Sequence, residues 1–443
     1  MAGETALGGS KMRVVIFGKC PPLEGGVSSR TFRFVRGLAA LGHKVTYITN
    51  ARAAGASFQA ALDEEDARYL ADALEGVELI EIGKAEGMLH IPYSPAFETR
   101  LIGAGVAAVK QADLVVGWYY QPYGVAAAIL AERFGKPCFL VHAGSDIGKL
   151  ALSRELQAAY QSLFANAWLI TVRPVADLIA KRIVPSDPQR IMVLSPAAAT
   201  RPYLFATRPQ PLDIEHLRRY TRPHLDQWEI APDRRQRLLD LNSKNFDSAI
   251  PTLGIYGKIG EVKGNHNLVQ ALKLLADKGK RFNFVMCGGG QPRQITAFVD
   301  ALLASETLSA RSWLFPFIAP WRVPAFIATC DAIAFLERDF PVAIHMPTVP
   351  REVLSIGAAL ICSGEIAGKQ SFRTKLSDRK NFIDAGDPKN VEALSNAIDF
   401  ALSDRARLRD IASAGQQLMS AYPEAVPSQD PIILALRERG FLA

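Results

Sequence analysis

Alternation of short apolar runs with helix-length segments predicts an α/β protein built from two parallel, doubly wound sheets. The chain has 443 residues, which is too long for one ordinary core and suits two domains of about 200 residues each. A buried strand is predicted at 13–18 (RVVIFG), and a similar run begins again at 252–257 (TLGIYG). Each run ends in glycine and is followed by further strand–helix repetition. The pattern therefore indicates two successive Rossmann-like halves.

The remaining elements divide the chain into segments. In the first half, strands are also predicted at 44–49, 113–117, 138–142 and 168–172, with a helix at 28–41. In the second half, strands are predicted at 282–287, 332–336 and 359–362, with a helix at 266–275. Prolines, charges and helical fragments interrupt the alternation between residues 201 and 250. We therefore predict a disordered tail at 1–11, a first domain at 12–204, a linker with an insertion at 205–250, and a second domain at 251–421.

Composition restricts the classes of function. The chain is 49% hydrophobic and 21% charged, and no uncharged apolar run reaches the ~18 residues of a membrane-spanning helix. Its five cysteines are odd in number and lack CxxC spacing, which favours buried, reduced thiols in a cytoplasmic protein. The seven histidines show no metal-ligand spacing, so no metal is expected. The net charge of +7 is compatible with an anionic acceptor or with peripheral contact at the inner membrane face, but no basic–aromatic block indicates nucleic acid.

Two loops of the first half are candidates for ligand binding. Gly25 and Gly26 follow the first strand and precede a helix, so the backbone there can approach a phosphate or a sugar hydroxyl closely. The alternative is a simple strand-to-helix turn. His142 and Asp146 follow a later strand, at the sheet edge where α/β proteins bind ligands. The alternative is a helix N-cap formed by Ser145 or Asp146, and the two interpretations are compatible.

Three features of the second half suggest a nucleotide site. Gly257 ends its first predicted strand, and Lys258 and Lys263 follow it. Two lysines five residues apart can converge on one pyrophosphate, whose developing charge they would stabilise. The alternative for each lysine singly is a solvated loop residue. Gly289 lies in a glycine-rich loop after the next strand and permits close approach. Glu352 falls in the first turn of a helix, where a carboxylate can accept both ribose hydroxyls or simply complement the helix dipole.

Taken together, these motifs resemble glycosyltransferase family 4, which has the GT-B fold. The segments that resemble the family occur in the expected order, at 114–146, 257–264, 315–331, 352–361 and 384–394. Lys258 stands where the family usually has arginine, and Glu352 and Gly357 match its Glu-Ala-Met-Ala-x-Gly pattern. The amphipathic C-terminal segment 431–443, which begins with proline, resembles the family helix that packs back on the first domain.

The resemblance implies a retaining sugar transfer from a nucleoside-diphosphate sugar, without a metal or any other cofactor. The first domain would bind the acceptor and the second the nucleotide sugar. Lys258 and Lys263 would hold the diphosphate, Glu352 the ribose, and His142 would face the donor sugar. The Gly25–Gly26 loop would lie under donor and acceptor. The acceptor itself, whether a saccharide, a lipid-linked molecule or another small molecule, is not specified by these motifs.

One part of the family signature differs. The family has a second Glu eight positions before the first-turn Glu, followed by Gly-Phe-Gly, whereas this chain has Ile344 followed by His345. Glu337, Asp339 or His345 are candidates to contact the donor sugar instead. Alternative hypotheses are an epimerase acting on a nucleotide sugar and a non-catalytic module that binds one. A dehydrogenase is disfavoured because neither first strand is followed by GxGxxG.

Arginines at three positions of the first predicted helix offer a further hypothesis about the acceptor. Arg30, Arg33 and Arg36 fall on roughly one helical face and could meet an anionic acceptor or a lipid headgroup. A solvent-exposed stripe is the alternative, and the sequence favours that interpretation.

Overall fold

The protein contains two parallel α/β sheets, as predicted. The computed structural model describes residues 11–49, 54–83, 95–148, 152–182, 188–194, 201–342 and 345–442. Residues 1–10 of the predicted tail and Ile344 lie outside these ranges. The strands of the first domain are β1 (Arg13–Phe17), β2 (Lys44–Thr49), β3 (Val77–Glu81), β4 (Leu114–Trp118), β5 (Cys138–Val141), β6 (Trp168–Val172) and β7 (Ile191–Leu194). Its helices are α1 (Gly26–Ala40), α2 (Glu64–Ala73), α3 (Pro95–Gln111), α4 (Val125–Phe134), α5 (Ser145–Gly148), α6 (Arg154–Leu163) and α7 (Arg173–Arg182).

The second domain repeats this architecture. Its strands are β8 (Thr252–Lys258), β9 (Asn283–Gly289), β10 (Ser312–Phe315), β11 (Ala332–Phe335), β12 (Ala359–Cys362) and β13 (Ile383–Asp384). The helices that accompany them are α8 (Ile214–Leu225), α9 (Pro232–Asn242), α10 (Asn265–Asp277), α11 (Pro292–Leu303), α12 (Glu306–Ser309), α13 (Val323–Thr329), α14 (Val349–Ile356), α15 (Gly364–Lys369), α16 (Val391–Leu402) and α17 (Arg405–Ser420). A final helix, α18 (Pro431–Glu438), follows.

Both sheets change winding direction at their first strand. The strand order is β3-β2-β1-β4-β5-β6-β7 in the first sheet and β10-β9-β8-β11-β12-β13 in the second, and neighbouring strands are parallel. The chain thus winds outward from β1 or β8 on one side and returns to β4 or β11 on the other. Ligands of open α/β sheets bind outside the carboxyl ends of the strands at such switch points. The loops after β1, β4, β8 and β11 are therefore the expected binding loops.

Buried apolar side chains show which core each element belongs to. The strands of the first sheet carry buried Val, Ile, Leu and Phe side chains on both faces, as a sheet covered by helices on both sides requires. The segment 205–250, predicted as a linker with an insertion, forms α8 and α9, whose apolar side chains pack in the cores of the second domain. Helix α18 contributes Ile432, Ile433 and Leu436 to the core of the first domain.

The chain passes between the domains along two adjacent segments. Arg201 forms a parallel bridge with Glu424, in which the Arg201 amide donates to the Pro423 carbonyl at 2.8 Å. Beyond this crossing, the C-terminal segment packs against α1, where Gly37 leaves the space. A Cβ at Gly37 would lie 2.2 Å from the Pro427 carbonyl oxygen. Glycine is thus required for the C-terminal segment to return to the first domain.

A segment of the first domain, residues 54–66, ties the two domains together. We call it the strap. The Gly290 amide donates to the Ser57 carbonyl at 2.7 Å, and the Ala61 amide donates to the Phe317 carbonyl at the same distance. The ring of His224 also hydrogen-bonds to strap carbonyls. The backbone of the strap is therefore bonded to loops of the second domain.

The strap ends in a buried ion-pair cluster. Asp63 and Asp66 form the capping box of α2, and both carboxylates also contact Arg322 of the second domain, at 2.8 and 2.6 Å. The Trp321 indole donates to Asp66 at 2.7 Å, and Asp66 is only 1% exposed. The same carboxylates thus start a helix of one domain and bind a cation of the other.

All five cysteines are buried and free, in agreement with the prediction of buried thiols. Within the described residues, no helix combines the length and the apolar character needed to cross a bilayer.

Replacement of Arg322 by alanine is expected to destabilise the protein by about 3 kcal/mol, because the carboxylate of Asp66 stays buried after its cationic partner is removed. Urea unfolding measures this change in the free energy of unfolding. The matched control is Arg234→Ala, which removes a bidentate pair with Asp300 on the surface and should cost less than about 1 kcal/mol. Equal, small losses in the two variants would contradict a structural role of the Arg322 cluster.

Candidate active site

The two switch points face each other across an interdomain cleft. Glu24, in the loop after β1, forms an ion pair with Lys258, the last residue of β8, at 2.7 Å. This contact places the glycine loop of the first domain opposite the predicted phosphate loop of the second. The cleft is therefore lined by the loops that the two sheet topologies select.

Gly25 and Gly26 provide an open backbone surface at the start of α1. Gly25 has φ of 110°, a conformation that L side chains rarely adopt, and no atom lies within 4 Å of the position of a Cβ at either glycine. Because the first amides of a helix lack partners within that helix, this end of α1 can receive an anion or a hydroxyl. Both glycines thus lie between β1 and the body of α1, as predicted, and their contact with donor and acceptor stays a prediction.

His142 and Asp146 lie together after β5. The Nδ1 atom of His142 is 2.7 Å from Asp146 Oδ1, and Asp146 is completely buried. The second carboxylate oxygen of Asp146 accepts the Ala143 amide at 2.9 Å. Asp146 lies in the first turn of α5 rather than at its N-cap, and its carboxylate orients the imidazole of His142. Contact of either side chain with a ligand stays a prediction. Asp146 is a positioning residue for His142.

The loop after β8 is shaped by two glycines. Gly257 has φ of 111° and Gly264 has φ of 70°. A Cβ on Gly264 would lie 2.3 Å from the carbonyl oxygen of Leu336, so glycine allows the loop after β8 to contact the loop after β11. This close approach brings Lys263 to the carboxyl end of β11.

Lys263 contacts a buried carboxylate there. Glu337, which is 2% exposed, forms an ion pair with Lys263 and a 2.6 Å hydrogen bond with His345 Nε2. Burial opposes the ionisation of Glu337, but the hydrogen bond from His345 and the charge of Lys263 outweigh it and lower the pKa of its carboxyl. The ring of Phe340 stacks on His345 with centroids 3.8 Å apart, and Lys263 lies over the same ring. Two of the three candidates that the sequence offered for the missing carboxylate, Glu337 and His345, therefore join Lys263 in one cluster.

The third candidate, Asp339, is oriented differently. Its carboxylate is 60% exposed and lies 2.6 Å from Lys389 and 3.0 Å from Arg338. Asp339 thus pairs with surface cations, and within the described residues its carboxylate makes no hydrogen bond or ion pair with Glu337 or His345.

Glu352 is held in the first turn of α14, as predicted. The Tyr256 hydroxyl donates to one carboxylate oxygen at 2.6 Å, and the Thr348 hydroxyl donates to the other at 2.7 Å. Burial raises the pKa of Glu352, although these hydrogen bonds and the neighbouring Arg351 act in the opposite direction. Each carboxylate oxygen can accept more than one hydrogen bond, so ribose hydroxyls could bind beside the two protein donors.

Gly289 is closely approached by protein. A Cβ there would lie 2.5 Å from the Ser57 carbonyl oxygen and 2.7 Å from the ring of Phe317. The adjacent Gly290 amide is the one that bonds to Ser57. Because Gly289 has no side chain, the strap can pack directly against this loop. Contact of a nucleotide with the loop stays a prediction.

Two charged residues of the cleft were not selected by the sequence analysis. Lys19 and Glu24 both lie in the loop after β1, which also contains Gly25. The ammonium group of Lys19 lies 5.3 Å from the ring centroid of Tyr119, the first residue after β4. No motif marks Lys19 or Glu24. Only their position at the carboxyl end of β1, where α/β sheets bind ligands, could have indicated a role.

The arginine face of α1 is largely occupied by protein contacts. Arg33 makes two hydrogen bonds to Asp430, the N-cap of α18, and Arg36 hydrogen-bonds to the hydroxyls of Tyr69 and Tyr203. Arg30 stays exposed, 5.8 Å from the Trp118 ring centroid. Most of the predicted stripe therefore positions the C-terminal segment and its surroundings.

A cavity of about 900 Å³ lies at the opposite edge of the second sheet. Its lining includes Thr252, the first residue of β8, and Asp331, which directly precedes β11. Arg405 also lines the cavity and pairs with Asp331 at 3.0 Å. Because it faces the amino ends of the strands, this cavity is not where an α/β sheet presents its ligand loops.

The second domain matches a known family. Residues 239–418 match the family model described as glycosyl transferases, group 1. The matched range lies mostly in the second domain and includes Lys258, Lys263, Glu337 and Glu352. A 2-deoxystreptamine glucosyltransferase of Streptomyces kanamyceticus is 32% identical over 111 residues, which are 24% of this chain. The aligned part spans about a quarter of that relative, 27% of its length.

Solved structures match the fold over nearly the whole chain. A sucrose-phosphate synthase from Thermosynechococcus elongatus has a TM-score of 0.61 at 16% identity, with 97% of this chain and 99% of that one covered. Anabaena HepE in complex with UDP and glucose has a TM-score of 0.62 at 15% identity, covering 96% and 100%. A putative UDP-N-acetylglucosamine 2-epimerase from Listeria monocytogenes has a TM-score of 0.51 at 12% identity, covering 97% of each. These likenesses confirm the predicted GT-B architecture.

Replacement of Glu337 by glutamine is expected to lower stability by about 2 kcal/mol near pH 7, because Lys263 and His345 lose a buried anionic partner. The pKa of Glu337 in the folded protein lies below the ordinary value of 4.5. Its ionised form therefore stabilises the folded state above pH 4.5, and this contribution is lost as the pH falls through the lower, folded-state pKa.

Urea unfolding of the parent and of Glu337→Gln at several pH values tests this expectation. The difference between the two proteins should be complete at pH 7 and should shrink below about pH 4.5. Glu215→Gln, at a half-exposed carboxylate, is the matched control and should show a difference below about 1 kcal/mol. A difference for Glu337→Gln that does not change with pH would contradict the ion-pair account.

Proposed function

We propose that the protein is a glycosyltransferase that moves a sugar from a nucleoside-diphosphate sugar, bound in the cleft, to an acceptor on the first domain. The observation that carries this proposal is the common location of Lys258, Lys263 and Glu352 at the carboxyl edge of the second sheet. Two cations for a diphosphate and a carboxylate for a ribose are the groups that a nucleoside diphosphate needs. The glycosyltransferase family match in the same domain supports it.

The proposed chemistry is a family 4 reaction that retains the anomeric configuration. The bond between sugar C1 and the diphosphate oxygen breaks, and the acceptor hydroxyl oxygen forms a bond to C1 from the face that the diphosphate leaves. The hydroxyl proton passes to the departing phosphate. Lys258 and Lys263 stabilise the negative charge that develops on the leaving group, which is the largest requirement of such a step. No metal or other cofactor is included in this proposal.

The protein groups around the donor have distinct proposed roles. His142, oriented by Asp146, faces the donor sugar from the first domain, while Gly25 and Gly26 admit donor and acceptor against the start of α1. Glu337 holds Lys263 and His345 at one point, so that His345 occupies the donor-sugar side of the site. Closure of the two domains would keep water from the activated sugar.

Binding of nucleoside diphosphates tests the site directly. A thermal-shift panel of UDP, GDP, ADP, CDP and TDP, and of their sugars, should identify one preferred nucleotide, because ligand at one hundred times its dissociation constant stabilises the folded state by about 2.7 kcal/mol. Lys263→Ala and Glu352→Ala should each weaken binding by roughly 10- to 100-fold, through loss of a charge-assisted hydrogen bond. Release of the nucleoside diphosphate and transfer of the sugar can then be assayed with the donor that binds.

Lys273→Ala is the matched control for the binding measurement, since Lys273 lies on an exposed face of α10 and pairs with Asp277. It should bind the nucleotide like the parent. If no nucleotide shifts the unfolding temperature, or if Lys263→Ala and Glu352→Ala bind as well as the parent, the cleft assignment is wrong. Tight binding without any release or transfer would instead support the non-catalytic module.

A further inference from the structure

Three charged side chains meet where the domains face each other. Lys19 and Glu24 come from the loop after β1, and Lys258 comes from the end of β8. Glu24 Oε1 lies 2.7 Å from Lys258 Nζ, and the Glu24 side chain is only 8% exposed. The charge of Glu24 also attracts Lys19, and that of Lys258 repels it. One carboxylate thus serves two ammonium groups from different domains.

The backbone fixes the position of this carboxylate. The Glu24 amide donates to the Phe58 carbonyl of the strap at 3.0 Å, and Leu23 pairs with Gln59 in an antiparallel bridge. The strap is itself bonded to the second domain through Ser57 and Gly290. Glu24 is therefore held against Lys258 by the same contacts that hold the domains together.

Lys19 is incompletely neutralised. Burial, and then repulsion by Lys258, lower its pKa to about 8, although Glu24 partly offsets this effect. Its ammonium group lies over the ring of Tyr119 at 5.3 Å from the centroid. Two lysines and one carboxylate leave a net positive charge in a partly buried place. A phosphate group, which carries more negative charge and more acceptor oxygens than a carboxylate, would match the two lysines better.

We propose that Lys19 and Lys258 form a phosphate-binding site that spans the two domains, and that Glu24 occupies it until a substrate phosphate displaces its carboxylate. The proposal rests on the proposed function, because Lys258 is also one of the two cations assigned to the diphosphate. It adds Lys19 of the first domain as a ligand of the phosphate and Glu24 as its competitor. The phosphate belongs either to the donor diphosphate or to a phosphorylated acceptor.

The competition has a direction that can be measured. Removal of the Glu24 charge frees both lysines, so a phosphate ligand should bind about threefold to tenfold more tightly to Glu24→Gln. Lys19→Met removes the charge of Lys19 and should lower the affinity for the same ligand about tenfold. Lys19→Arg keeps the charge and should retain most of the affinity. Because anions prefer the protonated lysine, affinity for the parent should also fall as the pH rises through about 8, and this additional fall should be absent from Lys19→Met.

Calorimetric titration of the full chain separates the two sources of the phosphate. The first arm titrates the preferred nucleoside diphosphate, beginning with UDP, into the parent, Glu24→Gln, Lys19→Met and Lys19→Arg. The second arm titrates inorganic phosphate into the same proteins saturated with that nucleotide, or into the free proteins if no nucleotide binds. Lys273→Met and Asp277→Asn, which alter an exposed lysine–carboxylate pair, are the matched controls. Unfolding temperatures without ligand verify that every variant is folded.

Opposite changes for Glu24→Gln and Lys19→Met in the first arm would assign the site to the donor diphosphate. The same changes confined to the second arm would assign it to a phosphate on the acceptor. If neither arm distinguishes these variants from the parent and the controls, the proposal is overturned. Failure of the proposed function is recognised separately, by loss of the effect of Lys263→Ala on nucleotide binding, because Lys263 pairs with Glu337 and not with Glu24.

Discussion

The arrangement of the cleft depends on how the strap is fixed to the second domain. Arg322 contacts Asp63 and Asp66, which also cap α2, so that the helix start and the domain contact cannot be formed independently. Backbone hydrogen bonds from the strap then continue this attachment up to the glycine loop after β9. Since the strap in turn bonds to the loop after β1, the ion-pair cluster and the backbone hydrogen bonds of the strap together set the positions of the two switch points relative to each other.

This arrangement explains why the proposed phosphate lysines both contact carboxylates. Lys258 meets Glu24 of the opposite domain, and Lys263 meets Glu337 of its own. A cation in a partly dry cleft is costly unless an anion accompanies it, and a carboxylate meets that need before any substrate binds. The two pairs differ in their surroundings, however. Glu337 is also bonded to His345 and is almost completely buried, whereas Glu24 is shared between two lysines. The Lys263–Glu337 pair is therefore suited to a permanent structural role, and the Lys258–Glu24 pair to exchange of the carboxylate for a phosphate.

Local patterns in the sequence predicted the fold class and the positions of the main loops. The run KVTYIT gives β2 because β-branched and aromatic residues favour a buried strand. In contrast, β3 (VELIE) is half exposed at the edge of its sheet, and β10 (SWLF) has only four residues, so neither stood out from its surroundings. Glu352 and the lysines could be selected because short motifs carry them. The contact of Glu24 with Lys258 could not, since it joins loops more than two hundred residues apart, whose proximity only the domain arrangement determines.

A crystal structure of the protein with the nucleoside diphosphate that binds best tests the central claim most directly. The account predicts the diphosphate in the cleft, with phosphate oxygens within hydrogen-bond distance of Lys258 and Lys263 and the ribose on Glu352. A nucleotide bound elsewhere, for instance in the cavity beside Arg405 at the opposite edge of the sheet, would contradict the claim that these loops form the donor site.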